Sequence, residues 1–175
     1  MATGQNPERL HRASYLWLEE MLQGRRLLEL GLLSVEVLNE SNAAEWTATT
    51  PDARRTNERR IRAAAPGTVP FEDASFDAVV VPALELQLEA DPEFVQHVRR
   101  VLTKSGFAML VRRQSARDVQ DILRPVFSSI QVFRESPFFG LRLVPEGEAP
   151  MALDERLGGT VFGTTVALVG AVPEI

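Results

Sequence analysis

The sequence predicts a doubly wound α/β domain, and three neighbouring observations in it carry that prediction. Asp77 to Val81 is a short β-branched run bounded by turn residues, the pattern of a strand covered on both faces. Phe94, Val95, Val98, Val101 and Leu102 then recur at helical spacing between Asp91 and Leu102, which gives that helix one apolar face. After Thr-Lys-Ser-Gly, Phe107 to Val111 is apolar again. Strand, helix and strand with short links form a βαβ unit, with parallel strands and a right-handed crossover. Pro92 suits the first turn of the helix with Asp91 as its cap, and Gly106 reads as the glycine that ends it.

The N-terminal half supplies further elements in order. Residues 1–8 read as frayed. Arg9 to Leu22 is an amphipathic helix with Leu10, Tyr15, Leu16, Leu18, Met21 and Leu22 on its apolar side, stopped by Gly24. Arg26 to Leu30 is a buried strand followed by Gly31. Ser34 caps a short helix over Val35 to Asn39. Glu45 to Thr50 is a second strand, with Trp46 and Ala48 on one face and Thr47 and Thr49 on the other. Pro51 breaks the chain and Asp52 caps a predicted helix from Ala53 to Ala64, rich in arginine and poor in apolar residues.

Beyond Arg113, Ser115 opens a helix to about Phe127 with Val119, Ile122, Leu123 and Val126 inward, and Pro125 near its end fits a kink or an early stop. Ser129 to Arg134 is a strand, Leu141 to Val144 a short edge strand, and Thr164 to Val172 the last strand, the final two antiparallel to the rest.

Size and composition bound the function. The chain has 175 residues, enough for one domain with a proper core, and we expect residues 1–175 to form a single domain. A net charge of -5 argues against a nucleic-acid or anionic-membrane binder. With no cysteine, thiol catalysis and disulfides are excluded, and with two histidines a metal site would rest mainly on carboxylates. The N-terminal residues have no apolar core of the kind a signal peptide needs, and the longest apolar stretch, Val161 to Val172, is too short to span a bilayer. A cytoplasmic protein without a metal is the expectation. His11 and His97 read as surface residues. Glu85, just past Pro82, is open to two readings, a general base or a solvated residue.

The order of motifs carries a resemblance. An N-terminal helix leads to Leu28-Glu29-Leu30-Gly31, then Pro-Phe-Glu-Asp-Ala-Ser-Phe-Asp from Pro70 to Asp77, then Arg-Val-Leu-Thr-Lys-Ser-Gly from Arg100 to Gly106. This resembles the class I S-adenosylmethionine-dependent methyltransferases, and among them the single-domain enzymes acting on small molecules. The resemblance implies a Rossmann-like three-layer sandwich, with a mostly parallel seven-stranded sheet whose C-terminal strand is antiparallel. It also implies a cofactor cleft at the C-terminal ends of strands one, two and four.

The cofactor motif that the resemblance implies is degenerate. Glu29 and Gly31 match its start, but the second and third glycine positions hold Leu33 and Val35. The acidic residue expected at the end of strand two falls on Ala48, with Asp52 the nearest carboxylate, and the adenine-binding Asp falls on Ala65. Each lost charge-assisted hydrogen bond costs about 1.5–3 kcal/mol, so two weaken binding by roughly two to four powers of ten. The first expectation is therefore a methyltransferase-like domain that has lost S-adenosylmethionine and has no catalytic residues. It would act by binding a protein partner, with homo- or hetero-oligomers open. Glu29 and Gly31 are then vestigial cofactor residues. The alternative is an active methyltransferase with an atypical loop and S-adenosylmethionine as cofactor, and a third reading is a module for a different small ligand. Candidate interaction residues are Arg54, Arg55 and Arg59 in the basic stretch, whose other reading is a solvated face, and Phe138 and Phe139.

Overall fold

The computed structural model describes residues 7–82, 92–112, 121–135, 143–145 and 164–170. Helix α1 (Pro7–Trp17) continues after a turn as α2 (Glu19–Leu22). Then come β1 (Arg26–Leu30), α3 (Val35–Glu40) and β2 (Glu45–Thr50). A 3-10 turn (Ala53–Arg55) leads to β3 (Ile61–Ala63), followed by β4 (Phe76–Val81), α4 (Pro92–Val101) and β5 (Leu102–Arg112). The remaining strands are β6 (Ile130–Glu135), β7 (Leu143–Pro145) and β8 (Thr164–Gly170).

The strands form one sheet in the order β3-β2-β1-β4-β5-β8-β6-β7. β1 to β5 pair in parallel, β8 runs antiparallel between β5 and β6, and β7 adds an antiparallel edge to β6. This is the Rossmann-like, mostly parallel sheet expected, with the short edge strand β7 in place and an unexpected three-residue β3 at the other edge making eight strands.

Side-chain alternation divides the core into two layers. Leu27, Ala78, Val80, Phe107 and Met109 face α1, α2 and α3, where they meet Tyr15, Leu18, Leu22 and Leu38. Leu28, Val79, Val81, Ala108 and Leu110 face the other way, against Phe94, Val95 and Val98 of α4 and Leu123 and Phe127. The chain is helical at 121–123 and turns at 124–126, the early stop expected from Pro125. Ser34 accepts a hydrogen bond from Val37 N, and Gly24 turns the chain into β1 with φ +71°.

Three expectations are corrected. No helix spans 53–64. Ile61 is the one large apolar residue there, so a helix would have no face to bury, whereas a short edge strand places Ile61 beside Ala48 in the core. Asp52 still caps, accepting from Arg54 N at 3.0 Å, but only for the single 3-10 turn. Gly106 does not end α4. The helix stops at Val101 and the strand begins at once, with Thr103 to Gly106 bulging opposite Asp77 alone. Gly106 is needed there because a Cβ would lie 3.0 Å from Leu102 and 3.1 Å from the Asp77 carbonyl oxygen. Leu16, expected inside, is exposed on α1.

Asp77 holds this bulge to the neighbouring strand. Its carboxylate accepts from Arg26 N (3.1 Å), Arg26 Nε (3.2 Å) and Thr103 Oγ1 (3.3 Å). The hydrogen bonds from the Arg26 side chain, ahead of the others, hold its pKa below the usual carboxylate range. A depressed pKa stabilises the fold above the ordinary aspartate value of about 3.9 and ceases to do so as pH falls through the folded value. Asp77→Asn is accordingly expected to lower the urea midpoint near neutral pH, with the gap from wild type closing on acidification below about pH 4.

Gly170 gives a second test. It has φ +93°, and a Cβ there would lie 2.6 Å from the Gly106 carbonyl oxygen across the β5–β8 ladder. Gly170→Ala is expected to destabilise by about 2 kcal/mol or more. At Gly24 (φ +71°) a Cβ meets nothing within 4 Å, so Gly24→Ala incurs only the backbone strain of about 1 kcal/mol. Urea denaturation of the two variants compares them directly.

Candidate functional site

Glu29 sits within an otherwise apolar strand, Arg-Leu-Leu-Glu-Leu, and alternation places it on the face of Leu27, beneath α1. An ionised carboxylate in such a place requires hydrogen-bonding partners. They come from α1 at helical spacing i and i+4: His11 Nε2 lies 2.6 Å from Glu29 Oε2, and Tyr15 donates to the same oxygen at 2.7 Å. The second oxygen, Oε1, accepts from Leu33 N at 3.1 Å. All three side chains are buried. Burial first, then the negative charge of Glu29 and the hydrogen bond to it, raise the Tyr15 pKa well above its usual value, so Tyr15 stays a neutral donor. His11, expected at the surface, is therefore buried, because α1 turns the side carrying His11, Tyr15 and Leu18 inward. Its Nδ1 has no partner among the described residues.

Glu29 links α1 to the loop that follows β1. There Gly31 N donates to Thr49 Oγ1 (3.1 Å) and Leu32 N to the Thr49 carbonyl (2.7 Å). The carbonyls of Leu32 and Leu33 accept from the two terminal nitrogens of Arg55, at 3.0 and 3.3 Å. The loop thus has the backbone N–H groups of residues 31–33 and two of its carbonyls engaged within the chain.

Beside this loop, at the C-terminal ends of β1, β2 and β4, lies a cavity of about 460 Å³. Gly31, Leu33, Thr49, Asp52, Arg55, Ala65, Pro82 and Phe94 are among its lining residues. Leu33 thus borders the cavity, while Val35 packs against the core beneath α1. Ala65 also borders it, as the motif count expects. Ala48 does not: it is fully buried within the sheet, and the end of β2 offers Thr49, Thr50 and Asp52 instead. The Asp52 carboxylate is taken by Arg54, through Nε at 3.0 Å and the terminal nitrogen at 3.2 Å. Those hydrogen bonds lower its pKa.

The basic stretch is not a stripe on one helix face. Arg54 pairs with Asp52, Arg55 ties the loop, Arg60 pairs with Glu58 and lies 3.8 Å over the Trp46 ring, and Arg62 lies 4.8 Å over Phe71. Arg59 is exposed and makes no such contact among the described residues. His97, half-buried, faces Glu93 one turn away at 3.5 Å. Glu85, Phe138 and Phe139 lie outside the described residues, and among those described no cluster of metal-ligating side chains occurs.

Comparison with known proteins agrees with this architecture. Residues 33–110 match the family model described as "Methyltransferase domain". A solved S-adenosylmethionine-dependent methyltransferase of Thermotoga maritima, described as a possible histamine N-methyltransferase, superimposes with a TM-score of 0.61 at 14% identity, covering 94% of each chain. One from Archaeoglobus fulgidus gives 0.64 at 13% identity, again with 94% of each chain covered. A chain from the complex of the Haloferax volcanii Trm112 methyltransferase activator with the putative methyltransferase gives 0.61 at 14% identity, covering 96% of this chain and 92% of that one. No curated protein matches the sequence significantly. Residues 33–110 thus match a methyltransferase domain, and the chain has the fold of the class I S-adenosylmethionine-dependent methyltransferases.

The residues at the cleft fit the family's cofactor only in part. The cavity is where it belongs, but Leu33 projects a side chain where the motif has glycine, Ala65 brings no polar group, and Asp52 is already chelated.

What sequence reading missed here is the Glu29 cluster. Its signal was available: a lone glutamate in an apolar strand, and a histidine and tyrosine four residues apart on the helix before it. Tyr15→Phe is expected to lower stability by about 1–3 kcal/mol, since it removes a donor from a buried carboxylate. Chemical denaturation at neutral pH measures it.

Proposed function

We propose that this methyltransferase-fold domain does not bind S-adenosylmethionine usefully and acts as a non-catalytic subunit that binds a partner protein. The observation that carries this reading is the closed state of the loop after β1. The groups with which that loop would hold a cofactor are bonded to Glu29, Thr49 and Arg55, and Leu33 takes the place of a glycine. A ribose clamp fares no better, because the one carboxylate at the end of β2 is held by Arg54. The neighbour solved with an activator protein supports the compatibility of the fold with a protein partner. Arg59, exposed and without a contact among the described residues, and the exposed Arg54 are the basic residues we assign to such a surface, and Phe138 and Phe139, which lie outside the described residues, remain its aromatic candidates.

One observation favours the other reading, an active methyltransferase with an atypical loop. The cleft is open, with about 460 Å³ of space, and Val35 is not among its lining residues but packs against the core beneath α1. Calorimetric titration separates the two. Neither S-adenosylmethionine nor S-adenosylhomocysteine is expected to give saturable binding in the micromolar range. A micromolar isotherm for either restores the enzyme.

A further inference from the structure

We propose that the cleft at the ends of β1, β2 and β4 binds a small apolar carboxylic acid, with Arg55 as the group that recognises its carboxylate. This rests on the reading that S-adenosylmethionine is not the occupant.

The volume comes first. About 460 Å³ falls within the range of about 300–1,000 Å³ occupied by small-molecule sites. The walls are mainly apolar, from Leu30, Leu32, Leu33, Pro82 and Phe94. A ligand filling this space needs an apolar body, because a polar one would lose water without regaining hydrogen bonds.

The charges come next. Two charged side chains border the cavity, Asp52 and Arg55. Asp52 is forked by the exposed Arg54, which offsets its charge at this corner. Arg55 differs. Its hydrogen bonds go to the neutral carbonyls of Leu32 and Leu33, and no carboxylate lies within ion-pair distance of it among the described residues. Those two bonds use two of the five N–H groups of a guanidinium and fix it against the cavity wall. Counting Arg54, Arg55 and Asp52 together, this corner carries one positive charge in excess. The complementary ligand group is one negative charge.

The type of anion follows from what the site lacks. A phosphate group carries up to two charges and is usually met by several cations or by free backbone N–H groups. The N–H groups of Gly31, Leu32 and Leu33 are engaged within the chain. A single guanidinium with a planar fork suits a carboxylate. The threonines at the rim are already partly committed: Thr49 Oγ1 accepts from Gly31 N, Thr50 Oγ1 accepts from Asp52 N, and Thr68 Oγ1 donates to the Ala65 carbonyl.

Octanoate and its neutral counterpart octanamide are the probes, titrated calorimetrically into the full chain at low ionic strength. Octanoate is expected to bind saturably and at least tenfold more tightly than octanamide. Arg55→Gln should remove that preference, Lys104→Gln should keep it, and Leu33→Asp, which places a negative charge on the cavity wall, should weaken octanoate at least tenfold. Equal binding of the two probes by the wild-type chain, or no binding of octanoate, overturns the proposal without any variant having to fold. Retention of the preference in a folded Arg55→Gln, judged by circular dichroism, overturns it as well. These outcomes are separate from the preceding reading, which fails on micromolar binding of S-adenosylhomocysteine, whereas failure of octanoate to bind refutes the carboxylate site alone.

Discussion

The Glu29 carboxylate, buried in the first strand, is the constraint on which this molecule's helical layer and cleft both depend. A carboxylate in that position would be prohibitively costly without partners, and depriving a buried polar group of one hydrogen-bonding partner costs about 1–3 kcal/mol. The chain meets the requirement from two directions. His11 and Tyr15 reach down from α1, and Leu33 N turns back from the loop after β1. The N-terminal helix and the cleft loop are therefore held by the same two oxygen atoms, and neither can move far without disturbing the other.

That arrangement shapes the cleft. One wall is a loop stapled by Glu29, Thr49 and Arg55, while Val35 packs against the core beneath α1. In a methyltransferase fold this corner is the natural place for a ligand, since the parallel strands end here and the polar chain ends face outward. The family architecture is retained, while the surface it presents to a ligand has a different chemistry: apolar walls, a neutralised aspartate and one arginine left with its charge.

The fold was readable where one physical signal dominated. The βαβ unit from β4 to β5 follows from β-branched runs and the spacing of Phe94, Val95, Val98 and Val101, and the Ser34 cap from local chemistry. Readings failed where a local signal had two interpretations. Arginine-rich residues after Asp52 suit a helix by propensity, yet propensity is weak without a face to bury, and Ile61 went into the sheet edge instead. Gly106 looked like a helix stop, although its smallness serves a close approach to Asp77 inside a bulge. In the site, Leu33 and Val35 have similar chemistry but different surroundings, one lining the cavity and the other packed, partly buried, against the core beneath α1.

By itself the sequence determined the alternation of strands and helices, the likeness to the methyltransferases, and the residues Leu33, Ala48 and Ala65 at positions where the motif that likeness implies has glycine and carboxylates. Those properties lie in periodicity and in residue identity at local spacing, which need no knowledge of distant neighbours. Tertiary structure alone decided that His11 is buried against Glu29 and that Arg55 ties the loop beside the cavity. Each is a contact between segments far apart in the chain, made by long polar side chains with many rotamers. Which partner such a side chain meets is set by burial and geometry after the sheet has formed.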